Sequence, residues 1–260
     1  MLDNVPIVRI YKDDIGRPKS MKDTVAAEHA LTIHLDKKDL VTLLCSPEKL
    51  EYLAVGFLCS EGLIKGREDI KEIVLDEDMG VIEITTAEPG KTAKDPASKR
   101  LIGSSGGRGI SAPSFDRQSV ESMLTITPDE IFSLIEEFIH RSEVFEATGG
   151  VHSAALCDTR QLLVFSEDIG RHNAIDKVFG ECMLKGIPTD DRILVTSGRV
   201  SSEIMSKAAI RNIPILTSKS APTNKGVELA ASLGITLIGF VRKGRMNLYT
   251  HTKRVQLDGS

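Results

Sequence analysis

The run RILVTSGRVSSEIMSKAAIRNIPILTSKSAPTNKGVELAASLGITLIGFV, residues 192–241, decides the fold class. It reads as strand 192–196, helix 200–211, strand 213–217, helix 223–233 and strand 235–241. The strand cores 193–195, 213–216 and 235–240 are apolar runs, the pattern of strands covered on both faces. Strands alternating with helices need crossover connections, so parallel pairing with helices packed on the sheet is expected.

The same reading extends outward. Upstream lies helix 172–185, with Ile175, Val178, Phe179, Cys182 and Met183 on one stripe. Before it come strands 151–157 and 161–166, joined by Asp158, Thr159 and Arg160. Thr127, Pro128 and Glu130 form a helix start, with Thr as cap, Pro in the first turn and Glu at the third position. Ile131, Leu134, Ile135, Phe138 and Ile139 then share a face. Downstream, 246–250 is a last strand. The first part of the chain offers strands 5–11, 24–35, 40–45, 70–75 and 81–86 around one helix, 47–61. In that helix Leu50, Leu53, Ala54, Phe57 and Leu58 form the apolar face, Pro47 suits the first turn and Gly62 the stop. Between the two parts, residues 87–119 lose all periodicity and collect Pro89, Pro96, Pro113, Gly90, Gly103, Gly106, Gly107 and Gly109. This stretch reads as a linker or long functional loop. The expected organisation is α/β throughout: a small α/β domain over 1–118, including the loop 87–119, and a second α/β domain with a mixed sheet over 119–260.

Composition narrows the function classes. The chain has 260 residues, 41% hydrophobic, with a formal net charge of −4. That balance gives no global attraction to nucleic acid or an anionic membrane surface. Aromatics make up only 4% and Trp is absent, poor material for stacking single-stranded nucleic acid. No apolar run approaches the roughly 18 residues of a membrane span, and the first residues carry acids rather than an apolar signal segment. Cys45, Cys59, Cys157 and Cys182 are scattered, without CxxC or zinc-ligand spacing. A reduced, cytoplasmic protein without a metal site is expected.

Ligands in open α/β sheets gather beyond the carboxyl ends of parallel strands. That rule selects four loops: 166–173, 197–203, 218–223 and 242–245. They carry Arg171, His172, Arg199, Lys219, Arg242, Lys243 and Arg245, with Ser197, Ser201, Ser202, Ser220 and Thr223 as hydroxyl donors and Gly170, Gly198 and Gly244 for close backbone approach. Three of the loops run into helices, whose amino ends favour anions. Neither a P-loop nor a dinucleotide fingerprint is present, so the loops indicate a phosphate-bearing, nucleotide-like ligand without specifying ATP or NAD. The segment 148–156 adds His152, a candidate donor or acid/base group. Asp168 and His172, four apart, are candidates for a hydrogen-bonded pair, with helix capping an equal account of Asp168.

The runs 148–156 (TGGVHSAAL), 166–178 (SEDIGRHNAIDKV), 196–209 (TSGRVSSEIMSKAA), 213–229 (IPILTSKSAPTNKGVEL) and 235–250 (ITLIGFVRKGRMNLYT) resemble the formate dehydrogenase accessory protein family. The helix 47–62 with its Gly-Phe-Leu-x-x-Glu-Gly run matches it as well. The resemblance implies a cytidine-deaminase-like, three-layer α/β domain in the second half and a homodimer. It further implies a sulfur carrier, which takes sulfur as a persulfide from a cysteine desulfurase. The sulfur passes to the bis-guanine-dinucleotide molybdenum cofactor before that cofactor enters formate dehydrogenase. The cofactor is cargo, and the family's cofactor-binding run matches Phe240, Val241, Arg242, Lys243, Gly244 and Arg245.

The sequence departs from the family at one motif. Where family members carry Ser-Ser-Cys-Gly-x-Cys-Gly, residues 104–110 read Ser-Ser-Gly-Gly-Arg-Gly-Ile, with Gly106 and Gly109 in place of the sulfur-carrying cysteines. The zinc signature of deaminases is also missing, so no zinc enzyme is implied. Three readings follow: a cofactor-binding accessory protein with sulfur transfer lost or rerouted through Cys157 or another thiol; an enzyme on a free guanine nucleotide using His152, Asp168 and His172; or a scaffold for apo formate dehydrogenase that does not touch the cofactor.

Overall fold

The computed structural model describes residues 1–89, 100–102, 119–242 and 244–257. Strands β1 (Leu2–Arg9) and β2 (Lys19–Ala26) pair with each other as an antiparallel ribbon. Next come β3 (His29–Leu35), β4 (Lys38–Cys45), helix α1 (Leu50–Ser60), β5 (Ile70–Asp76), β6 (Val81–Thr86) and the short β7 (Arg100–Ile102). Among the described residues these form a five-stranded sheet in the order β5-β6-β3-β4-β7. The rest of the chain forms α2 (Pro128–His140), α3 (Glu143–Thr148), β8 (His152–Cys157), β9 (Leu162–Asp168), α4 (Arg171–Lys185), β10 (Ile193–Thr196), α5 (Ser202–Ile210), β11 (Ile215–Ser218), α6 (Asn224–Ser232), β12 (Thr236–Arg242) and β13 (Arg245–Thr250). Its six-stranded sheet has the order β13-β12-β11-β10-β8-β9.

The expected crossovers are present: β10, β11 and β12 pair in parallel through α5 and α6. The sheet is mixed, because β8 is antiparallel to both β9 and β10, and β13 to β12. Alternation along each strand sorts the core into two faces. Leu156, Val164, Leu194, Leu216 and Leu237 pack with α4, α5 and α6, while Ala155, Ile193, Val195, Ile215 and Ile238 pack with α2. The result is three layers, helix, sheet and helix, as the resemblance implied. On its outer side α4 meets α1, which in turn covers the five-stranded sheet through Leu53, Phe57 and Leu58. Every residue from His172 to Met183 is therefore buried.

Local signals explain most boundaries. Thr127 Oγ1 accepts the Glu130 backbone N–H at 3.2 Å and Glu130 Oε2 accepts that of Thr127 at 2.8 Å, closing the capping box. Four expectations need correction. The segment read as one strand, 24–35, is two: the chain leaves the β1–β2 ribbon at Ala26 and enters the large sheet at His29, with no Gly or Pro marking the switch. Pro47 does not open α1, which begins at Leu50 after Lys49 in a left-handed conformation. Ser46 and Lys49 are held instead by bonds to the β9 region, Ser46 N–H to Asp168 Oδ2 and Lys49 Nζ to the Phe165 carbonyl. Within 87–119, residues 100–102 form a strand parallel to β4. Finally, Ile139 lies on the exposed side of α2.

Candidate anion-binding site

The topology settles where the loops lie. β9 and β10 are each antiparallel to β8, and β10 to β12 are mutually parallel, so β9, β10, β11 and β12 all end at one edge of the sheet. The amino end of β8, with His152 opposite Asp168, joins them there. With strands about 4.8 Å apart, the four intervals from β9 to β12 spread the row over about 19 Å. The four loops chosen from sequence are thus neighbours along a single line.

Backbone bonds fasten the loops to one another. Val200 N–H donates to the Ala221 carbonyl at 3.1 Å and Thr223 N–H to that of Val200 at 2.9 Å. Phe240 N–H donates to the Ser220 carbonyl at 3.1 Å, and Ser218 Oγ to that of Gly198 at 2.8 Å. Thr223 caps α6 through Gly226 N–H at 3.1 Å. Ser201 precedes α5 without capping it, and its buried Oγ has no hydrogen-bond partner among the described residues.

At the β9–β10 end, Arg171, His172, Arg199, Ser197, Gly198 and His152 come together. The Arg171 stem crosses Gly198 so closely that a Cβ there would lie 2.8 Å from Arg171 Cβ. Burial and the neighbouring Arg199 both hold the Arg171 guanidinium below its ordinary pKa. The charges of Arg199 and of the acid Glu203 both reach Arg171, with opposite effects. His152 Nδ1 lies 3.3 Å from Ser197 Oγ, which also accepts Ser153 N–H at 2.9 Å. Burial, then Arg171 and Arg199, lower the His152 pKa and keep it neutral. Lys219 lies farther along, its Nζ 6.0 Å from the centroid of the Phe145 ring, and burial lowers its pKa. At the far end Arg242 stands over the Phe240 ring at 5.4 Å, and Arg242 and Arg245 face each other across the β12–β13 turn, which contains Gly244. Phe240 is bulky yet has a φ of +54°, at a bulge between Gly239 and Arg242. Such backbone strain gathers at functional sites. Ser220 is half-buried and Val241 buried in the α2-side core. Lys243, Gly106 and Gly109 lie outside the described residues.

The suggested Asp168–His172 pair is not formed; Asp168 is bonded to Gly170, Asn173, Lys177 and Ser46. His172 Nε2 is 3.4 Å from Glu203 Oε2, without hydrogen-bond geometry. Burial first, then Lys207, Arg171 and His152, push the His172 pKa down to about 2. Sequence reading missed Phe145. It sits on α3, a six-residue helix too short to show periodicity, and is 46% exposed at the edge of the row. Glu167 fixes that helix by accepting Val144 N–H at 3.2 Å and Phe145 N–H at 3.1 Å.

The His172 environment has a consequence for stability. Its folded pKa lies below the ordinary value, so the unfolded chain takes up a proton as pH falls below about 6.5 while the folded chain does not. Stability should therefore drop by about 1.4 kcal/mol per pH unit below 6.5, with His152 acting in the same direction. Urea unfolding at pH 7 and pH 5 should differ by about 2 kcal/mol, and His172→Gln should flatten that slope. An unchanged slope in His172→Gln would show that other groups carry the acid sensitivity.

Among the described residues no helix is long and apolar enough to cross a membrane. Comparison with known proteins places the chain in a family. A Bacillus subtilis protein named sulfur carrier protein FdhD is 40% identical over 263 residues, covering 98% of this chain and 100% of the relative. A Bacillus pumilus protein of the same name is 41% identical over 255 residues, covering 96% of each chain. Among solved structures, a Desulfotalea psychrophila protein described as a formate dehydrogenase accessory protein superposes with a TM-score of 0.84 at 28% identity, covering 98% of this chain and 99% of its own. The FdhD/NarQ family profile matches residues 26–256, and the chain belongs to that family.

Proposed function

We propose that this protein is a formate dehydrogenase accessory protein that binds the bis-guanine-dinucleotide molybdenum cofactor as cargo along the edge from β9 to β12, without passing sulfur through residues 104–110. The observation that carries the reading is topological: β9, β10, β11 and β12 all end at one edge of the sheet, and the loops that follow them bring Arg171, Arg199, Lys219 and Arg242 to it. Cations gathered at one edge raise the local potential for an anion. A row of about 19 Å suits a ligand with several phosphates better than a single ion. In this reading Arg171 and Arg199 hold phosphate at one end, and Arg242, Lys243 and Arg245 do so at the other. Ser197, Ser220 and the backbone of Gly198 and Gly244 supply further contacts. Phe145 and Phe240 offer flat surfaces for a base at the rim.

The relatives are named sulfur carriers, and for this chain the carrier step is the part in question. All four cysteines are buried and free. Burial pushes the Cys45 and Cys182 thiols up to about 12, and raises Cys59 and Cys157 as well. None resembles a reactive thiolate, which requires exposure and a cationic setting. A cysteine desulfurase and formate dehydrogenase are the partners this reading names, with a homodimer as the assembly. The alternative of an enzyme on a free guanine nucleotide using His152, Asp168 and His172 is disfavoured, because Asp168 is fully bonded inside the protein and burial holds His172 far below the range of an acid/base group at neutral pH.

Calorimetric titration with GDP tests the site. Wild type should bind, and Arg171→Ala and Arg245→Ala should each weaken binding about tenfold or more, the loss of one charge-assisted contact. Absence of GDP binding by wild type would overturn the anion site and favour a scaffold that does not touch the cofactor.

A further inference from the structure

Asp168 is a fully buried carboxylate whose four close contacts all come from the protein itself. Oδ1 accepts Gly170 N–H at 2.8 Å and Asn173 Nδ2 at 2.9 Å. Oδ2 accepts Ser46 N–H at 3.0 Å and lies 2.7 Å from Lys177 Nζ. The carboxylate thus has no lone pair left for a ligand, which removes it from direct contact with any substrate. Its charge is not wasted in this setting, because the Lys177 ammonium is also buried and completes its own shell on the Ser46 carbonyl at 3.1 Å and the Glu167 carbonyl at 3.4 Å. A buried ion pair of this kind is seldom a source of net stability over apolar residues, so its use must be sought in what it fixes.

What it fixes is the turn carrying Arg171 and His172. Of the two backbone N–H groups before Arg171, that of Gly170 is held by Asp168, and that of Ile169 by Ser46 Oγ at 3.1 Å. Asn173, just inside α4, is held by Asp168 and by the Leu44 carbonyl at 2.9 Å. Leu44 and Ser46 belong to the end of β4 and the residue that follows it, in the five-stranded sheet. The turn that presents Arg171 to the ligand row is therefore clamped from the opposite sheet, and Asp168 is the one side chain bonded both to that turn and to Ser46.

We infer that Asp168 is a positioning residue for Arg171, and that through Ser46 the five-stranded sheet helps set the affinity of the anion site. A guanidinium binds phosphate well only when its geometry is prepaid, and here the preparation is made by a carboxylate that never meets the ligand. The inference rests on the proposed anion site, and its test separates the two.

The test is GDP titration of wild type, Asp168→Asn, Ser46→Ala, Arg171→Ala and the two doubles that combine Arg171→Ala with each of the others. The asparagine has nearly the shape of the aspartate but turns an N–H₂ group either toward Ser46 N–H and Lys177 or toward Gly170 N–H and the Asn173 amide, all of them donors. Asp168→Asn should weaken GDP binding about tenfold. Ser46→Ala, which keeps the ion pair and removes only the Ile169 contact, should weaken it about threefold. In the Arg171→Ala background neither should weaken it further, a coupling that a purely structural role would not produce. If wild type does not bind GDP, the anion site itself fails. If wild type binds and a folded Asp168→Asn binds equally well, the positioning role alone is overturned. If the losses simply add to that of Arg171→Ala, the link to Arg171 is overturned. Should Asp168→Asn fail to fold, Asn173→Ala, which removes the Asn173 bond to Asp168 and keeps the Asp168–Lys177 pair, is titrated in its place, and GDP binding equal to wild type there overturns the positioning role.

Discussion

Replacing Gly180 by alanine should destabilise the protein by about 3 kcal/mol, although alanine is the better helix former by about 1 kcal/mol. The two effects oppose each other, and geometry decides between them. A Cβ on Gly180 would lie 1.9 Å from the Tyr52 carbonyl oxygen and 2.8 Å from the Gly56 backbone nitrogen. A Cβ on Gly56 would lie 1.8 Å from the Asp176 carbonyl oxygen. Both obstacles are backbone, so no side chain can swing aside. α1 and α4 would have to separate, and with them the Ser60–Asp176 hydrogen bond of 2.6 Å and the Lys49–Glu181 pair at 2.7 Å. Urea unfolding measures the change. Gly56→Ala with Gly180→Ala should cost less than the sum of the two singles, because helices already forced apart admit the second methyl more easily. A Gly180→Ala protein as stable as wild type would mean that the crossing is looser than its backbone contacts indicate.

That crossing also marks where sequence reading stops. The alternation of strand and helix over 192–241 was legible because the strand cores are apolar runs and each element is bounded by turn residues, and the parallel strands lie where that pattern put them. The loops were legible for the same reason, since strand direction alone sends their carboxyl ends to one edge. The environment of α4 was not. Periodicity marks the stripe of Ile175, Val178, Phe179, Cys182 and Met183, yet His172, Asn173, Asp176, Lys177 and Glu181 are buried too. Their partners, Ser46, Ser60, Lys49 and Lys207, are distant in sequence, and no local pattern announces such a pairing. The role of Asp168 escaped for the same reason: its spacing from His172 suggested a pair on one turn, while its bonds lead to β4. Phe145 stayed hidden because a six-residue helix shows less than two turns of pattern.

Incubation with a cysteine desulfurase and radiolabelled cysteine should leave wild-type protein without bound sulfur label, and Gly106→Cys with Gly109→Cys should make it a carrier. Persulfide transfer needs an accessible sulfur nucleophile, and a thiol reacts as its thiolate. With pKa values pushed to about 12, Cys45 and Cys182 are thiolate in about one part in 10⁵ at pH 7, and none of the four cysteines is more than 2% exposed. The two glycines stand where the resemblance puts the family's sulfur-carrying cysteines, so the double substitution restores the missing nucleophile and leaves every cation of the four loops in the sequence. GDP affinity should accordingly be the same in wild type and in the double variant. The two readouts separate the two halves of the activity. Label on wild type would sink the separation of binding from transfer, and mapping the labelled peptide would show which buried thiol opens to the desulfurase. Label gained together with unchanged GDP affinity would show that holding an anionic nucleotide and carrying sulfur are independent properties of this chain, the second decided by the residues at positions 106 and 109.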